Sequence, residues 1–147
     1  MRGPVLTVAI PTYKRAKLLD QQLGWLAEAV KGYEDKLEIY LSDNHSPDDT
    51  PEVIERHRAR LQSQGVRVRS VRQETNVGAI RNIASCIQNA EGDYVWTISD
   101  DDELKPDAIA RVVQLLEEHE NLSLLVLNFS NRHHNSTERR FDRCFAN

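Results

Sequence analysis

Short apolar runs alternate with helical patterns along this chain of 147 residues, and this alternation constrains the fold more than any other feature. The runs that we predict as strands are residues 5–10, 37–41, 66–71, 94–98 and 122–127. Between them, apolar residues recur with the spacing of amphipathic helices. The alternation predicts an α/β fold with a mostly parallel sheet, right-handed crossovers and helices on both faces.

Boundary signals and core positions accompany the predicted helices. Pro11 is expected to end the first strand. Thr50 is expected to cap the second helix with Pro51 as its first residue, and Pro106 is expected to begin the fourth helix. The spacing of the third helix predicts four core positions, which are Ile80, Ile83, Ala84 and Ile87.

The character of the strands predicts their order in the sheet. The first and fourth are apolar on both faces, which is typical of central strands. The third carries Arg67 and Arg69 between valines, as expected of an edge strand with one wet face. The order 3-2-1-4 satisfies both conditions and puts the reversal of winding between strands 1 and 4. Ligands bind at the carboxyl ends of strands at such a switch point.

Four consecutive acids, Asp100 to Glu103, directly follow the fourth strand. Adjacent carboxylates repel one another, and their clustering therefore indicates a bound divalent cation such as Mg²⁺ or Mn²⁺, which prefers oxygen ligands. An acidic helix start explains the run less well, because the run ends before the helix expected at Pro106. A solvated acidic turn is the plain alternative.

Polar residues also follow the other strands at the same predicted rim. Asp43 follows the second strand, and Asn76 and Gly78 follow the third. Taken alone, Asp43 fits a loop-capping role and Asn76 fits the N-cap of the third helix. Arg81 lies in the first turn of that helix, where a cation opposes the helix dipole. We therefore expect Arg81 to have an anionic partner, either one of the acids or a ligand phosphate.

Composition argues against several classes of partner and setting. The net charge is −4 with no long basic run, which argues against nucleic acid as the main partner. No apolar run approaches the roughly 18 residues that a membrane span requires. The two cysteines, Cys86 and Cys144, do not make a disulfide framework, and Cys86 is expected to be a buried thiol. A cytoplasmic protein is expected, with peripheral association at the inner face of the membrane as an option.

Several segments, in order, resemble motifs of family 2 glycosyltransferases of the GT-A fold. They read VAIPTYKR at residues 8–15, SDNHSPDDT at 42–50, NVGAIRN at 76–82, AEGDYVW at 90–96 and SDDD at 99–102. The resemblance covers about residues 5 to 128. The SDN loop and the tryptophan before the acids are most similar to bacterial transferases that build O-antigen or other surface polysaccharides, including the abequosyltransferase-like branch.

The resemblance implies a nucleotide-diphosphate sugar as donor and Mn²⁺ or Mg²⁺ as cofactor. By analogy, Asp43 would bond the base, and Arg81 would lie near the base or the diphosphate. In the Asp-x-Asp motif, Asp100 or Asp101 would face the ribose or sugar, and Asp102, together with Asp100, would hold the metal. The full set of implied donor-binding residues is Pro11, Thr12, Tyr13, Asp43, Asn76, Gly78, Arg81, Asp100 and Asp101.

The implied activity is transfer of the sugar to an acceptor hydroxyl, with inversion, in surface polysaccharide synthesis. Residues 1–128 would form the GT-A nucleotide-sugar-binding domain, and residues 129–147 an unassigned polar tail that begins an acceptor-binding part. The acceptor is not identified, a lipid-linked glycan being one candidate. No general base is assigned, since neither Glu138 nor Asp142 in the tail aligns with one. The alternative is a truncated or non-catalytic nucleotide-sugar-binding module that lacks the acceptor half.

Overall fold

A four-stranded parallel sheet in the order β3-β2-β1-β4 organises the computed structural model, which describes residues 3–119 and 121–127. The strands are β1 (Leu6–Thr12), β2 (Leu37–Asp43), β3 (Arg67–Arg72) and β4 (Tyr94–Thr97). The helices are α1 (Ala16–Ala29), α2 (Thr50–Ser63), α3 (Ala79–Asn89) and α4 (Ala108–Glu118), and a 3₁₀ helix (Glu34–Lys36) precedes β2. The predicted strand order is confirmed. In the described part, no helix has both the length and the apolar character of a membrane span.

Side chains of β1 and β2 point alternately to two different cores. Leu6, Val8 and Ile10 enter a large apolar core shared with α1, α2 and α4. Ala9 lies on the opposite face, where it packs with Tyr40 and Cys86 of α3 in a smaller cluster. The prediction of helices on both faces is therefore confirmed. Cys86 is the buried thiol expected from the sequence, and its burial raises the pKa to about 12.

Pro11 does not end β1, contrary to the prediction from sequence. Ile98 N–H donates to the Ala9 carbonyl and Asn44 N–H donates to the Thr12 carbonyl. Because alternate residues of a strand face opposite neighbours, Pro11 faces the side of β4, beyond the last residue of that strand. Its missing N–H therefore removes no bond from the ladder.

Helix α2 begins at Thr50 itself, and α4 begins at Ala108 rather than at Pro106, so both predicted starts are wrong. Asp48 explains the first difference. Its Oδ1 accepts hydrogen bonds from the N–H and the hydroxyl of Thr50, at 3.3 and 2.7 Å. Its Oδ2 accepts one from Ala16 N–H at 3.2 Å. One carboxylate thus binds the amino ends of two helices, which suits the positive end of each dipole.

The isoleucines predicted to face the core from α3 are exposed instead. Asn82 and Cys86 face the sheet. Asn82 donates to the Ser42 carbonyl at 2.9 Å and accepts a hydrogen bond from the Ser42 hydroxyl at 2.7 Å. These buried polar contacts fix the rotation of α3, because breaking them would leave buried groups without partners. The exposed side chains, with their exposed fractions, are Ile80 at 84%, Ile83 at 39% and Ile87 at 56%.

Strand β4 lies at the edge of the sheet in the described part of the chain, and residues 122–127 form no strand there. The central position of the fourth strand and the fifth strand were both predicted, and neither holds for these residues. The Tyr94 hydroxyl donates to the Leu122 carbonyl at 2.6 Å, so this segment contacts a β4 side chain rather than the β4 backbone. Residues 128–147, including the predicted polar tail, lie outside the described residues.

Glu38 anchors the amino ends of the strands although it is completely buried. Its Oε2 accepts hydrogen bonds from the Thr7 hydroxyl at 2.6 Å and from Glu91 N–H at 2.8 Å. Its Oε1 accepts one from Arg69 at 2.9 Å. Burial raises the pKa of Glu38, but these three bonds outweigh burial and hold the pKa below its ordinary value. Gly92 lies against the same site, where its N–H donates to the Thr7 hydroxyl at 2.8 Å.

Replacement of Glu38 by glutamine should lower the free energy of unfolding by roughly 1–3 kcal/mol at neutral pH, because a buried donor loses its acceptor. The native pKa lies below the ordinary value of 4.5. The contribution of Glu38 to the free energy of unfolding is therefore complete above pH 4.5, and it is lost as the pH falls through the pKa of Glu38 in the folded protein. Urea unfolding at neutral and acidic pH should show the difference from wild type narrowing below pH 4.5. A difference independent of pH would contradict the assignment.

Gly92→Ala should destabilise the fold by roughly 1–3 kcal/mol, the usual range for overpacking. A Cβ at this position would lie 2.6 Å from the Thr7 nitrogen and 2.9 Å from the Leu6 carbonyl carbon, so the backbone must move. Gly24→Ala in α1 is the matched control, since its Cβ would meet nothing within 4 Å. That variant should gain about 1 kcal/mol in helix propensity. Thermal unfolding of both variants measures the pair, and equal melting temperatures would refute the close approach.

Candidate functional site

The carboxyl ends of the strands meet at one rim, as the strand order predicts. Thr12 ends β1 and lies in register with Asp43, which ends β2. Asp43 lies in register with Arg72 at the end of β3. The Thr12 hydroxyl donates to Asp100 Oδ2 at 2.7 Å, which ties the acidic run after β4 to the end of β1. Thr12, Asp43 and Asp100 are all buried and form the centre of the predicted site.

The other predicted residues of the β1 loop lie beside this centre. Pro11 is half-buried and is the second-last residue of β1. Tyr13 follows Thr12 and leaves 42% of its surface exposed. An aromatic ring exposed at the rim provides a flat apolar surface next to buried polar groups, as small-molecule sites usually do.

Asp43 carries a buried oxygen that lacks a hydrogen-bond donor. Its Oδ1 accepts a hydrogen bond from Ser46 N–H at 3.0 Å, which closes the loop after β2. Its Oδ2 is buried and accepts no hydrogen bond from the described residues, although Arg72 Nε lies 3.5 Å away. Buried carboxylate oxygens are normally satisfied, because an unpaired buried charge is costly. The geometry therefore suits a ligand that brings an N–H or O–H group to Oδ2.

Side-chain bonds join the loops that follow β2 and β3. Asn44 Oδ1 accepts a hydrogen bond from Val77 N–H at 2.8 Å, and Asn44 Nδ2 donates to Asn76 Oδ1 at 3.0 Å. Asn76 Oδ1 also accepts one from Gly78 N–H at 2.9 Å. The N-cap of α3 is Gly78, not Asn76, and its φ of +85° favours glycine. Asn76 thus holds its own loop against the residue after Asp43.

Arg15 binds the acidic run, and sequence reasoning missed it as a site residue. Its Nη1 lies 3.1 Å from Asp100 Oδ1 and 2.8 Å from Asp101 Oδ2. The charges of Asp100 and then Asp101 raise the pKa of Arg15. A hydrogen bond from Ser99 and the charge of Arg15 lower the pKa of Asp101. A signal for Arg15 was available, because a cation directly before α1 opposes the helix dipole just as Arg81 does in the first turn of α3.

Asp102 differs from the two acids before it, because the described residues leave one of its oxygens without a partner. Its side chain is exposed, and its Oδ2 accepts a hydrogen bond from Ser99 N–H at 2.9 Å. Both Asp100 oxygens are engaged, one by Thr12 and the other by Arg15. Asp101 likewise bonds Arg15 and the Ser99 hydroxyl.

The acids can serve Mg²⁺ or Mn²⁺ only as part of a shared ligand set. Among the described residues, no group of three or more acids, histidines or cysteines is arranged to enclose a metal. Mg²⁺ needs no such enclosure, since it usually binds through one or two carboxylates, waters and substrate phosphates. Asp102 fits that donor set. Both oxygens of Asp100 already accept hydrogen bonds, so the role of Asp100 as a metal ligand stays a prediction.

Arg81 is exposed on α3 and forms no ion pair with the described residues. The prediction that one of the acids of the run pairs with Arg81 is therefore wrong for this structure. A ligand phosphate is the partner that stays a prediction.

Comparison with known proteins decides the family. The sequence profile described as Glycosyl transferase family 2 matches residues 7–143, which is most of the chain. The chain belongs to glycosyl transferase family 2. The match begins in β1 and includes every predicted site residue, so the family assignment and the rim described above concern the same part of this family 2 chain.

Curated relatives of this family 2 chain include bacterial transferases. Abequosyltransferase RfbV of Salmonella typhimurium is 31% identical over 120 residues, which are 82% of this chain and 35% of the relative. GalNAc(5)-diNAcBac-PP-undecaprenol beta-1,3-glucosyltransferase of Campylobacter jejuni is 31% identical over 117 residues, with shares of 78% and 35%. The chain thus spans about a third of the length of these relatives.

Solved structures confirm the GT-A fold expected from the sequence. Mannosyltransferase PcManGT from Pyrobaculum calidifontis, in complex with GDP-Man and Mn²⁺, superposes with a TM-score of 0.66 at 26% identity, over 79% of this chain and 33% of that one. S. aureus TarS 1-349, in complex with UDP-GlcNAc, gives a TM-score of 0.68 at 23% identity, over 78% of this chain and 32% of that one. At that identity, TarS supports the fold alone.

Proposed function

We propose that this chain carries the donor-binding site of a metal-dependent, inverting glycosyltransferase of surface polysaccharide synthesis. The observation that carries the proposal is the buried Oδ2 of Asp43 at the carboxyl edge of the sheet, which accepts no hydrogen bond from the described residues and lies next to the bonded pair of Thr12 and Asp100. Ligands of open α/β sheets bind at this edge. The complex of PcManGT with GDP-Man supports a nucleotide-diphosphate sugar as the ligand.

The base of the nucleotide would bind at the end of β2. Uracil and guanine both present ring N–H groups, and such a donor would satisfy Asp43 Oδ2. The ring of Tyr13 is exposed at the same rim and would stack on the base, with Pro11 and Thr12 lining the pocket. Asn76 and Gly78 would close the pocket from the β3 loop, which Asn44 already ties to the β2 loop. The ribose would lie towards Asp100.

The diphosphate would lie beside Asp102, whose exposed carboxylate would hold Mn²⁺ or Mg²⁺ together with the phosphate oxygens. When bound, such an ion offsets the charge that develops on the leaving nucleoside diphosphate. Asp101 would face the sugar. Arg81, which lacks an ion pair among the described residues, would supply a second positive charge near the diphosphate. The complex of PcManGT with Mn²⁺ supports the metal.

The acceptor half of the reaction is proposed from the relatives. Inverting transfer needs a base that takes the acceptor proton on the side of the sugar opposite the leaving group. We assign no base, and Glu138 and Asp142 lie outside the described residues. The name of the Campylobacter relative includes undecaprenol, which supports a lipid-linked acceptor at the cytoplasmic face of the membrane. Binding of the donor without transfer of its sugar to supplied acceptors would instead favour the alternative, a nucleotide-sugar-binding module. That alternative is compatible with a match to only 35% of the length of the Salmonella relative.

Asp43→Asn should weaken the binding of a nucleoside diphosphate by about 10- to 100-fold, because an amide N–H replaces the acceptor at the ligand position. The bond from Ser46 to Oδ1 is kept, so the melting temperature should change little. Isothermal titration with UDP, GDP, CDP and ADP in the presence of Mn²⁺ measures the effect.

Asp49→Asn is the matched control for Asp43→Asn, since it removes the same charge from an exposed residue of the same loop. The control should bind nucleotide as wild type does. Equal affinities of all three proteins would refute the base-binding role of Asp43, and no binding of any nucleotide to wild type would refute the proposed function.

Asp102→Asn should abolish most of the gain in nucleotide affinity that Mn²⁺ produces in wild type, while leaving the metal-free affinity unchanged. The reason is that the variant loses the carboxylate of the Asp-x-Asp motif that keeps one oxygen free of bonds to the described residues. Titrations with Mn²⁺ and with EDTA separate the two affinities, and Glu103→Gln, which removes the neighbouring exposed charge, should behave as wild type. An undiminished Mn²⁺ effect in Asp102→Asn would exclude Asp102 as the metal ligand.

A further inference from the structure

We propose that Arg15 acts as an internal counter-ion that prevents the nucleotide-free protein from capturing a divalent metal and leaves Asp102 for the metal bound together with the nucleotide. Arg15 is thus a positioning residue that acts through Asp100 and Asp101. The inference rests on the proposed function, because it concerns how the same site acquires its metal.

The first support is the geometry of the three carboxylates. Arg15 Nη1 bridges Asp100 Oδ1 and Asp101 Oδ2 at 3.1 and 2.8 Å. The remaining oxygens of these acids accept bonds from Thr12 and Ser99. Among the acids of the motif, Asp102 is therefore the one that keeps an oxygen free of bonds to the described residues. Asp100 and Asp101, which would otherwise be two oxygen ligands for a divalent metal, are occupied by Arg15.

The second support is charge. Without Arg15, three neighbouring carboxylates would repel one another and attract a cation strongly. With Arg15 bound to Asp100 and Asp101, an incoming divalent ion would meet only the carboxylate of Asp102 from the motif, beside a guanidinium that carries charge of the same sign as the ion. Arg15 Nη1 lies 3.1 and 2.8 Å from oxygens of Asp100 and Asp101, well inside the Debye length of about 8 Å, so salt screens their attraction only in part. Metal affinity in the nucleotide-free protein should therefore be low.

The third support is that Arg15 can hold the acids without being needed for the fold. Its side chain is half-exposed, with 46% of its surface accessible. Its backbone precedes α1, and the first α1 bond, from Leu19 N–H to the Arg15 carbonyl, does not use the side chain. Asp48 binds the free Ala16 N–H at the same helix end. A change of the Arg15 side chain should therefore leave α1 in place.

A nucleotide diphosphate changes the balance because it brings phosphate oxygens as additional metal ligands. The metal then needs only Asp102 from this motif, and Arg15 can keep its two acids. Metal and nucleotide should bind with strong positive coupling, and by linkage each should raise the affinity for the other by the same factor. Arg15 sets the size of that coupling by keeping the metal-only state unfavourable.

The test is Mn²⁺ binding to nucleotide-free protein, followed through the electron paramagnetic resonance signal of free Mn²⁺. Arg15→Gln should bind Mn²⁺ at least about tenfold more tightly than wild type, within the usual range of coupling effects. Arg15→Lys keeps the charge and should stay close to wild type. Arg58→Gln removes an arginine from an exposed pair on α2, and as the control for net charge it should also match wild type.

The same variants should differ in the coupling between metal and nucleotide. Addition of UDP or GDP should raise the Mn²⁺ affinity of wild type strongly and that of Arg15→Gln much less. Equal or weaker Mn²⁺ binding by nucleotide-free Arg15→Gln would overturn the role of Arg15. Failure of wild type to bind any nucleoside diphosphate would overturn the proposed function instead, and the nucleotide-free comparison would still decide the question of Arg15. Should Arg15→Gln melt early, Arg15→Met offers a second neutral variant for the same comparison.

Discussion

The buried hydrogen bond from Thr12 to Asp100 is the contact on which the site depends. It joins the end of the central strand β1 to the acidic run that follows β4, across the point where the sheet reverses its winding. Both side chains are buried, so the bond is protected from water and costly to break. Because Thr12 also lies in register with Asp43, one residue sets the spacing between the expected base-binding carboxylate and the expected metal-binding acids.

The two ends of the sheet divide stability from ligand binding. At the amino end, Glu38 is fully buried, and both of its carboxylate oxygens accept hydrogen bonds, from Thr7, Glu91 and Arg69. At the carboxyl end, Asp43 is equally buried but keeps one oxygen without a donor in the described part. Two buried acids at opposite ends of β2 thus differ in whether their oxygens have hydrogen-bond donors. The contrast supports the proposal that a ligand binds at the carboxyl end, where Asp43 Oδ2 accepts no hydrogen bond from the described residues.

Sequence reasoning predicted the strand order, the helices on both faces and the rim of polar residues, because alternation and strand polarity are local properties of a sequence. It failed where a distant partner decides. The rotation of α3 depends on Asn82 meeting Ser42, a contact that a helical pattern of isoleucines does not reveal. The start of α2 depends on Asp48, and the tolerance of Pro11 depends on where β4 ends.

The site shows the same limit of prediction. The acids were found as a run of like charge, and repulsion among them indicated a cation. The cation that the structure brings to them is the guanidinium of Arg15, which binds Asp100 and Asp101 and leaves Asp102 and Glu103 exposed. The clustered carboxylates do require a cation, as predicted. For Asp100 and Asp101, however, the chain itself supplies that cation. The metal is expected only at Asp102, where an oxygen is left to bind it.

The most direct test of the account is a crystal structure with a bound nucleoside diphosphate and Mn²⁺, in which anomalous scattering locates the metal. We expect the base to donate a ring N–H to Asp43 Oδ2, one anomalous peak in direct contact with Asp102 and the diphosphate, and Arg15 still bound to Asp100 and Asp101. A nucleotide bound away from the carboxyl edge of the sheet, or a metal bound to Asp100 and Asp101 in place of Arg15, would contradict it.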